Sequence, residues 1–123
     1  METKFNFNSA ICTSLEQSRR LLALGLKKET ADCWHTLCWS PEDGITNDIP
    51  AWSLHRLIEM MPDIIKDNIE GMLYHLSIDG NNVFYETRNN DLCQFFGDSL
   101  YICIIDCIEW LINEGYFNKE YLV

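Results

Sequence analysis

The stretch SLYICIIDCIEWLINEG, residues 99–115, carries the strongest structural signal in the chain. Its Ile, Leu and Tyr residues recur at the spacing of one broad helical face, whereas Asp106 and Glu109 lie on the opposite side. Gly115 is the residue type that most often ends a helix. The pattern therefore predicts a helix over about residues 99–113, and its apolar face has to pack against another apolar surface.

The preceding residues 72–88 predict that surface. MLYHLSI and VFYETR each alternate apolar and polar residues, and the DGNN between them favours a tight turn, so the segment indicates a β-hairpin. A hairpin with one apolar face is typical of a sheet covered on one side only. Because two strands alone are marginally stable, we expect a third strand. It would come from residues 31–39, whose pattern fits a strand or a helix, or from KFNF, residues 4–7.

Two shorter helices are predicted in the N-terminal half, over about residues 14–24 and 53–61. Thr13 and Glu16 have the spacing of a capping box at the start of the first helix. The 123 residues are the usual length of one domain. We therefore expect a single α+β domain over residues 1–123, in which a small antiparallel sheet is packed by a long C-terminal helix and two N-terminal helices.

The net charge of −10 is unevenly distributed, because residues 63–123 hold three Lys and Arg against eleven Asp and Glu. This acidity disfavours direct binding of nucleic acid. No apolar run approaches the ~20 residues needed to cross a bilayer, and the first residues lack the basic and apolar pattern of a secretory signal. We therefore expect a cytoplasmic protein that binds no membrane.

The cysteines are expected to be mostly reduced thiols, since disulfides are rare in the cytoplasm. Free cysteine behaves as a small hydrophobe, and the pair on the predicted C-terminal helix flanks its apolar face. The six positions are Cys12, Cys33, Cys38, Cys93, Cys103 and Cys107.

Candidate metal ligands cluster at Cys33, His35 and Cys38, because thiolate and imidazole are the groups that zinc prefers. Their spacing matches no common zinc finger or ribbon, however, and no second CxxC motif accompanies them. We therefore predict no metal site and no cofactor.

Catalytic residues are not predicted either. His35, His55 and His75 lie in no recognisable nucleophile motif and are expected to be ordinary surface histidines. The carboxylates of Asp106 and Glu109 belong to a polar stripe, so a solvated helix face explains them better than acid–base chemistry, which needs a carboxyl group in an apolar pocket. The sequence therefore predicts a protein that is not an enzyme.

Three stretches carry a family resemblance: EQSRRLLALGLKKETAD at residues 16–32, IPAWSLHRLIEMMP at 49–62, and IIDCIEWLINEGYFNKEYLV at 104–123. In their sequence and order they resemble a family of small uncharacterised proteins encoded by gut Bacteroides-type bacteria and their phages and mobile elements. The connection between the first two stretches is shorter here than in many relatives. The resemblance implies a phage or mobile-element setting, and it supplies no catalytic residues.

The ending GYFNKEYLV places Tyr116, Phe117 and Tyr121 after the helix stop. Such an aromatic tail has to dock either on its own domain or on a neighbouring molecule, and the second alternative implies a homodimer. The leading hypothesis is therefore a non-enzymatic protein-interaction protein of phage or mobile-element origin. The alternatives are an acidic decoy of a nucleic-acid-handling protein, an antitoxin-like module suggested by the order of hairpin and helix, and, last, a small Cys/His metal protein or enzyme.

Overall fold

The secondary structure alternates between short helices and antiparallel strands. The computed structural model describes residues 10–39 and 46–123. Within them lie three α-helices, α1 (Leu15–Ala23), α2 (Leu54–Met60) and α3 (Leu100–Glu114), and six strands, β1 (Cys33–Trp39), β2 (Thr46–Ala51), β3 (Ile64–Lys66), β4 (Leu73–Asp79), β5 (Asn82–Glu86) and β6 (Asp91–Phe95). Short 3₁₀ turns cover Lys28–Thr30 and Lys119–Tyr121. The α+β class is confirmed.

The strands form two antiparallel sheets, one of β1 and β2 and one of β3, β4, β5 and β6 in that order. The predicted hairpin is β4 and β5. The expected source of its further strands was wrong: residues 31–39 supply β1, which pairs with β2 instead, and KFNF lies outside the described residues. The hairpin is extended by β3 and β6, whose three and five residues are too short to give a clear alternating pattern.

Helix α3 covers one face of the four-stranded sheet and supplies more buried core residues than any other element. The inner face of the sheet presents Tyr74, Val83 and Tyr85, which are all buried. The Tyr85 hydroxyl donates a hydrogen bond to the carbonyl of Pro62 at 2.7 Å, so its polar end is satisfied inside the core. The buried residues of α3 are Tyr101, Cys103, Ile104, Ile105, Cys107, Ile108 and Leu111.

The ends of the helices agree with the predictions to about one residue, but the capping box of α1 does not. Ser14 accepts from the backbone N–H of Gln17 at 3.1 Å, and Gln17 Oε1 accepts from the backbone N–H of Ser14 at 2.9 Å. The prediction of Thr13 and Glu16 was therefore wrong by one position, since Gln fills the same acceptor role as Glu. Thr13 is instead buried, and its hydroxyl accepts from the Trp52 N–H at 3.1 Å.

An ion-paired cluster joins α1 to α3. One guanidinium nitrogen of Arg20 lies 2.6 Å from an Asp106 oxygen and 2.9 Å from a Glu109 oxygen. Partial burial alone would lower the pKa of Arg20, but the two carboxylates outweigh it and raise that pKa. The two carboxylates are thus not simply a solvated stripe, although each pair stays half-exposed and contributes only about 0.2–1 kcal/mol.

Two of the cysteines form a disulfide, Cys12–Cys33. The backbone of Cys12 pairs with that of Ser53, and the backbone of Cys33 pairs with that of Ala51. Because both cysteines pair with the same short segment, residues 51–53, their Cα atoms lie 6.7 Å apart. The expectation of reduced thiols was therefore wrong for this pair, because a non-local pairing of the backbone has no signature in the cysteine spacing. Cys93, Cys103 and Cys107 are free thiols, and the side chain of Cys38 lies outside the described part.

We predict that the α3–sheet contact dominates stability. Replacing the fully buried Ile105 with Ala removes three carbons from the core and lowers the free energy of unfolding by about 2–5 kcal/mol in urea titrations. The matched control is Ile102→Ala on the same helix, where the side chain is 43% exposed and the loss stays within about 1 kcal/mol. Equal losses at the two positions would contradict the placement of α3.

We also predict that dithiothreitol destabilises the oxidised protein. The two cysteines of the Cys12–Cys33 bridge are 21 positions apart in the chain. Reducing the bridge gives the unfolded chain more conformational freedom and so lowers the free energy of unfolding by about 2–4 kcal/mol. The double variant Cys12→Ser/Cys33→Ser should have the lower stability without reductant and show no further change with it. Identical unfolding curves of the wild-type protein with and without reductant would disprove the bridge.

Candidate interaction surface on the open face of the sheet

The face of the four-stranded sheet opposite α3 is exposed. Side chains paired across antiparallel strands point to the same side, and the pairs Ile64 with His75, His75 with Glu86, and Ser77 with Phe84 place these residues together. We call this surface the open face. Its outward-pointing residues are Ile64, Lys66, Leu73, His75, Ser77, Phe84, Glu86 and Gln94.

The open face is partly apolar. Ile64 and Leu73 are 48% and 49% exposed, and Phe84 is half-buried. When a partner removes large aliphatic and aromatic side chains from water, the free energy of the complex is lowered relative to the separate molecules. Covering these three side chains would therefore favour association with a partner.

A polar recess adjoins the apolar residues. It has a volume of about 450 Å³ and is lined by His75, Glu86, Thr87 and Arg88. The Ser77 hydroxyl donates a hydrogen bond to Glu86 Oε1 at 3.0 Å, so its proton points to the carboxylate and not to His75. This arrangement offers hydrogen-bond donors and acceptors of both charges on an open surface.

The ends of the sheet are acidic. Residues 63–98 contain seven carboxylates against two basic residues. Asp67 and Glu70 lie in the connection between β3 and β4, whereas Asp79 lies at the opposite end, beside the turn into β5. Asp98 joins Asp79 at that end, since its carbonyl accepts from the Asn81 side chain at 3.1 Å. These four carboxylates are thus divided between the two ends of the sheet.

The predicted interaction residues belong to the C-terminal tail. Phe117 is 4% exposed and packs in the chain's own core, with the ring of Tyr121 6.0 Å away. The ring of Tyr116 lies 5.7 Å from that of Trp110, and both are half-buried. The tail is held by backbone bonds from Lys27 N–H to the Tyr121 carbonyl at 2.8 Å and from Val123 N–H to the Gly25 carbonyl at 2.7 Å. It therefore docks on its own domain.

Two of the candidate metal ligands, Cys33 and His35, form other bonds in the structure. Cys33 is bonded to Cys12 and so supplies no thiolate. His35 Nε2 lies 2.7 Å from the carbonyl oxygen of Thr13 and must carry the proton, because a carbonyl only accepts. Among the side chains that the structure describes, those of residues 10–35 and 49–123, no three His, Cys, Asp or Glu come close enough to hold a metal ion.

Another polar contact connects β1 to α2. Asp32 accepts hydrogen bonds from the Ser53 backbone N–H at 2.8 Å and from its hydroxyl. Partial desolvation alone would raise the pKa of Asp32, but the hydrogen bonds from Ser53 lower it below its usual value. Ser53 Oγ also accepts from the Arg56 N–H at 3.2 Å, so this contact supports the start of α2 and is structural.

Comparisons with protein-family models, curated proteins and solved structures found no match. No helix in the described part of the chain is both long and apolar enough to cross a bilayer.

The apolar part of the open face was missed by the sequence analysis, although a signal for it exists. The alternation in MLYHLSI and VFYETR predicts a hairpin with one polar side, and His75, Ser77 and Glu86 lie on that side. Leu73 and Phe84 occupy the same alternation phase as these polar residues. Large apolar residues at solvent-facing positions of a strand indicate a surface with a use beyond folding.

Proposed function

We propose that this chain is a non-enzymatic protein-interaction protein of phage or mobile-element origin, and that it binds its partner through the open face. The observation that carries the proposal is the group of Ile64, Leu73 and Phe84 on the uncovered side of the sheet. The phage or mobile-element setting rests on the resemblance of residues 16–32, 49–62 and 104–123 to that family.

The composition of the open face supports a protein partner. Large apolar side chains together with polar groups of both charges are common in protein–protein interfaces. Phe84 is a rigid anchor, while His75, Glu86 and Arg88 offer hydrogen bonds that fix the orientation of a partner.

The charge of the chain favours a basic partner over a second copy. Each copy carries −10, and the carboxylates at both ends of the sheet would face their own counterparts in a dimer built on this face. A partner with basic groups around an apolar patch would instead gain from complementary potentials, which speed association and exclude wrong partners. The acidic-decoy hypothesis gains no specific support, because carboxylates lie at both ends of the sheet, on the open face and on α3.

The proposal predicts that two substitutions on the open face abolish partner binding without unfolding the protein. The immobilised double variant Leu73→Ser/Phe84→Ser is compared with the wild type for proteins retained from a lysate of the bacterial host. We expect a basic protein that the wild type retains at low salt and that the double variant loses, with at least tenfold weaker affinity when the purified pair is measured by calorimetry, or about 1.4 kcal/mol.

The matched control is Ile102→Ser, which removes a similarly exposed apolar side chain from α3, on the other side of the sheet. It should retain the partner like the wild type, and circular dichroism checks that all variants are folded. If the wild type and the folded double variant retain the same proteins with the same affinity, the open face is not the binding surface. Equal loss with the Ile102 control would also contradict the proposal.

A further inference from the structure

Cys93 and Cys107 meet between the edge strand β6 and α3. Cys93 pairs with Tyr85, whose side chain is buried, and so points toward the helix. Cys107 lies on α3, is fully buried and faces the sheet. Cys93 packs against the core cluster that contains Cys107. The two thiols belong to different elements and are 14 residues apart in the chain, yet each shifts the pKa of the other.

The surroundings shift the pKa values of the two thiols in opposite directions. The hydrogen bond from Cys107 lowers the pKa of Cys93 and outweighs the opposing effect of burial. The same hydrogen bond, together with burial, raises the pKa of Cys107. Cys93 is half-buried on the edge strand β6, whereas Cys107 is fully buried. A more acidic, less buried thiol beside a buried second thiol is the arrangement of an attacking and a resolving cysteine.

We propose that Cys93 and Cys107 form an oxidisable dithiol, which a low-molecular-weight disulfide converts into a second intramolecular disulfide that joins β6 to α3. This device is independent of the proposed interaction function. It differs from Cys12–Cys33, which already forms a bridge and connects the segment before α1 to β1.

The reaction consists of two thiol–disulfide exchanges. In the first, the sulfur of Cys93 gives up its proton and attacks one sulfur of the small disulfide. The S–S bond breaks, and the departing thiolate takes up the proton. In the second, Cys107 loses its proton and its sulfur attacks Cys93 in the mixed disulfide, which releases the second small thiol. Overall the protein loses two hydrogens with two electrons, and the small disulfide is reduced to two thiols.

The Cys93–Cys107 disulfide would hold the edge strand β6 against α3. Strand β6 is held by β5 on one side, and its Cys93 and Phe95 side chains contact the core. A covalent bond to α3 would limit separation of the strand from the helix. The nearby Cys103 gives a built-in comparison, since it is buried on the same helix one turn earlier.

The test uses the folded protein with Cys12–Cys33 intact and oxidised glutathione as the probe. After incubation, the remaining thiols are alkylated and the protein is digested and analysed by mass spectrometry. We expect a Cys93–Cys107 cross-linked peptide to account for most of the Cys93 that reacts. The Cys103→Ala variant should give the same product.

Two further variants separate the steps. Cys107→Ala should accumulate the glutathione adduct on Cys93, because the resolving sulfur is gone, and Cys93→Ala should leave Cys107 unmodified. If the wild type accumulates a stable adduct on Cys93, if Cys103 is consumed instead, or if neither member of the pair reacts unless the protein is unfolded, the proposal is wrong. The wild-type cross-link decides the question even where a variant fails to fold.

Discussion

The packing of α3 on the inner face of the four-stranded sheet is the contact on which the rest of the structure depends. It buries an unbroken apolar stripe of the helix against Tyr74, Val83 and Tyr85, each of which also belongs to a paired strand. Because the helix covers one face only, the opposite face is left for another use. The candidate interaction surface and the Cys93–Cys107 contact both follow from this placement, since one lies outside the helix–sheet layer and the other inside it.

Polar and covalent links around Trp52 join separate segments of the N-terminal half to one another. Thr13 exchanges hydrogen bonds with the Trp52 backbone, donating from its N–H at 2.9 Å and accepting at its hydroxyl at 3.1 Å. The indole N–H of Trp52 donates to the Thr30 hydroxyl at 2.9 Å. Together with the disulfide at Cys12, these contacts satisfy the polar groups of a buried aromatic residue while they connect three separate parts of the chain.

Periodicity predicted the elements that depend on local pattern. The helices α1, α2 and α3 and the β4–β5 hairpin follow from it, because their apolar spacing reflects burial along one element. The short strands β3 and β6 and the partner of β1 follow from non-local pairing, which the alternation of three to five residues does not encode. The open face was only partly predicted. The alternation of the hairpin gives it polar members, but Ile64 joins the face through the pairing of β3 with β4, which the local pattern does not encode.

The central claim is that the sheet is covered on one side and open on the other, and the neighbouring residues Ile64 and Ile65 test it directly. They share the same chemistry, yet Ile64 points to the open face with 48% exposure and Ile65 points to the core with 3%. Hydroxyl-radical footprinting of the free protein, read by mass spectrometry at single-residue resolution, should therefore modify Ile64 much faster than Ile65. Equal protection of both residues in the free monomer would show that the face is covered and would contradict the account.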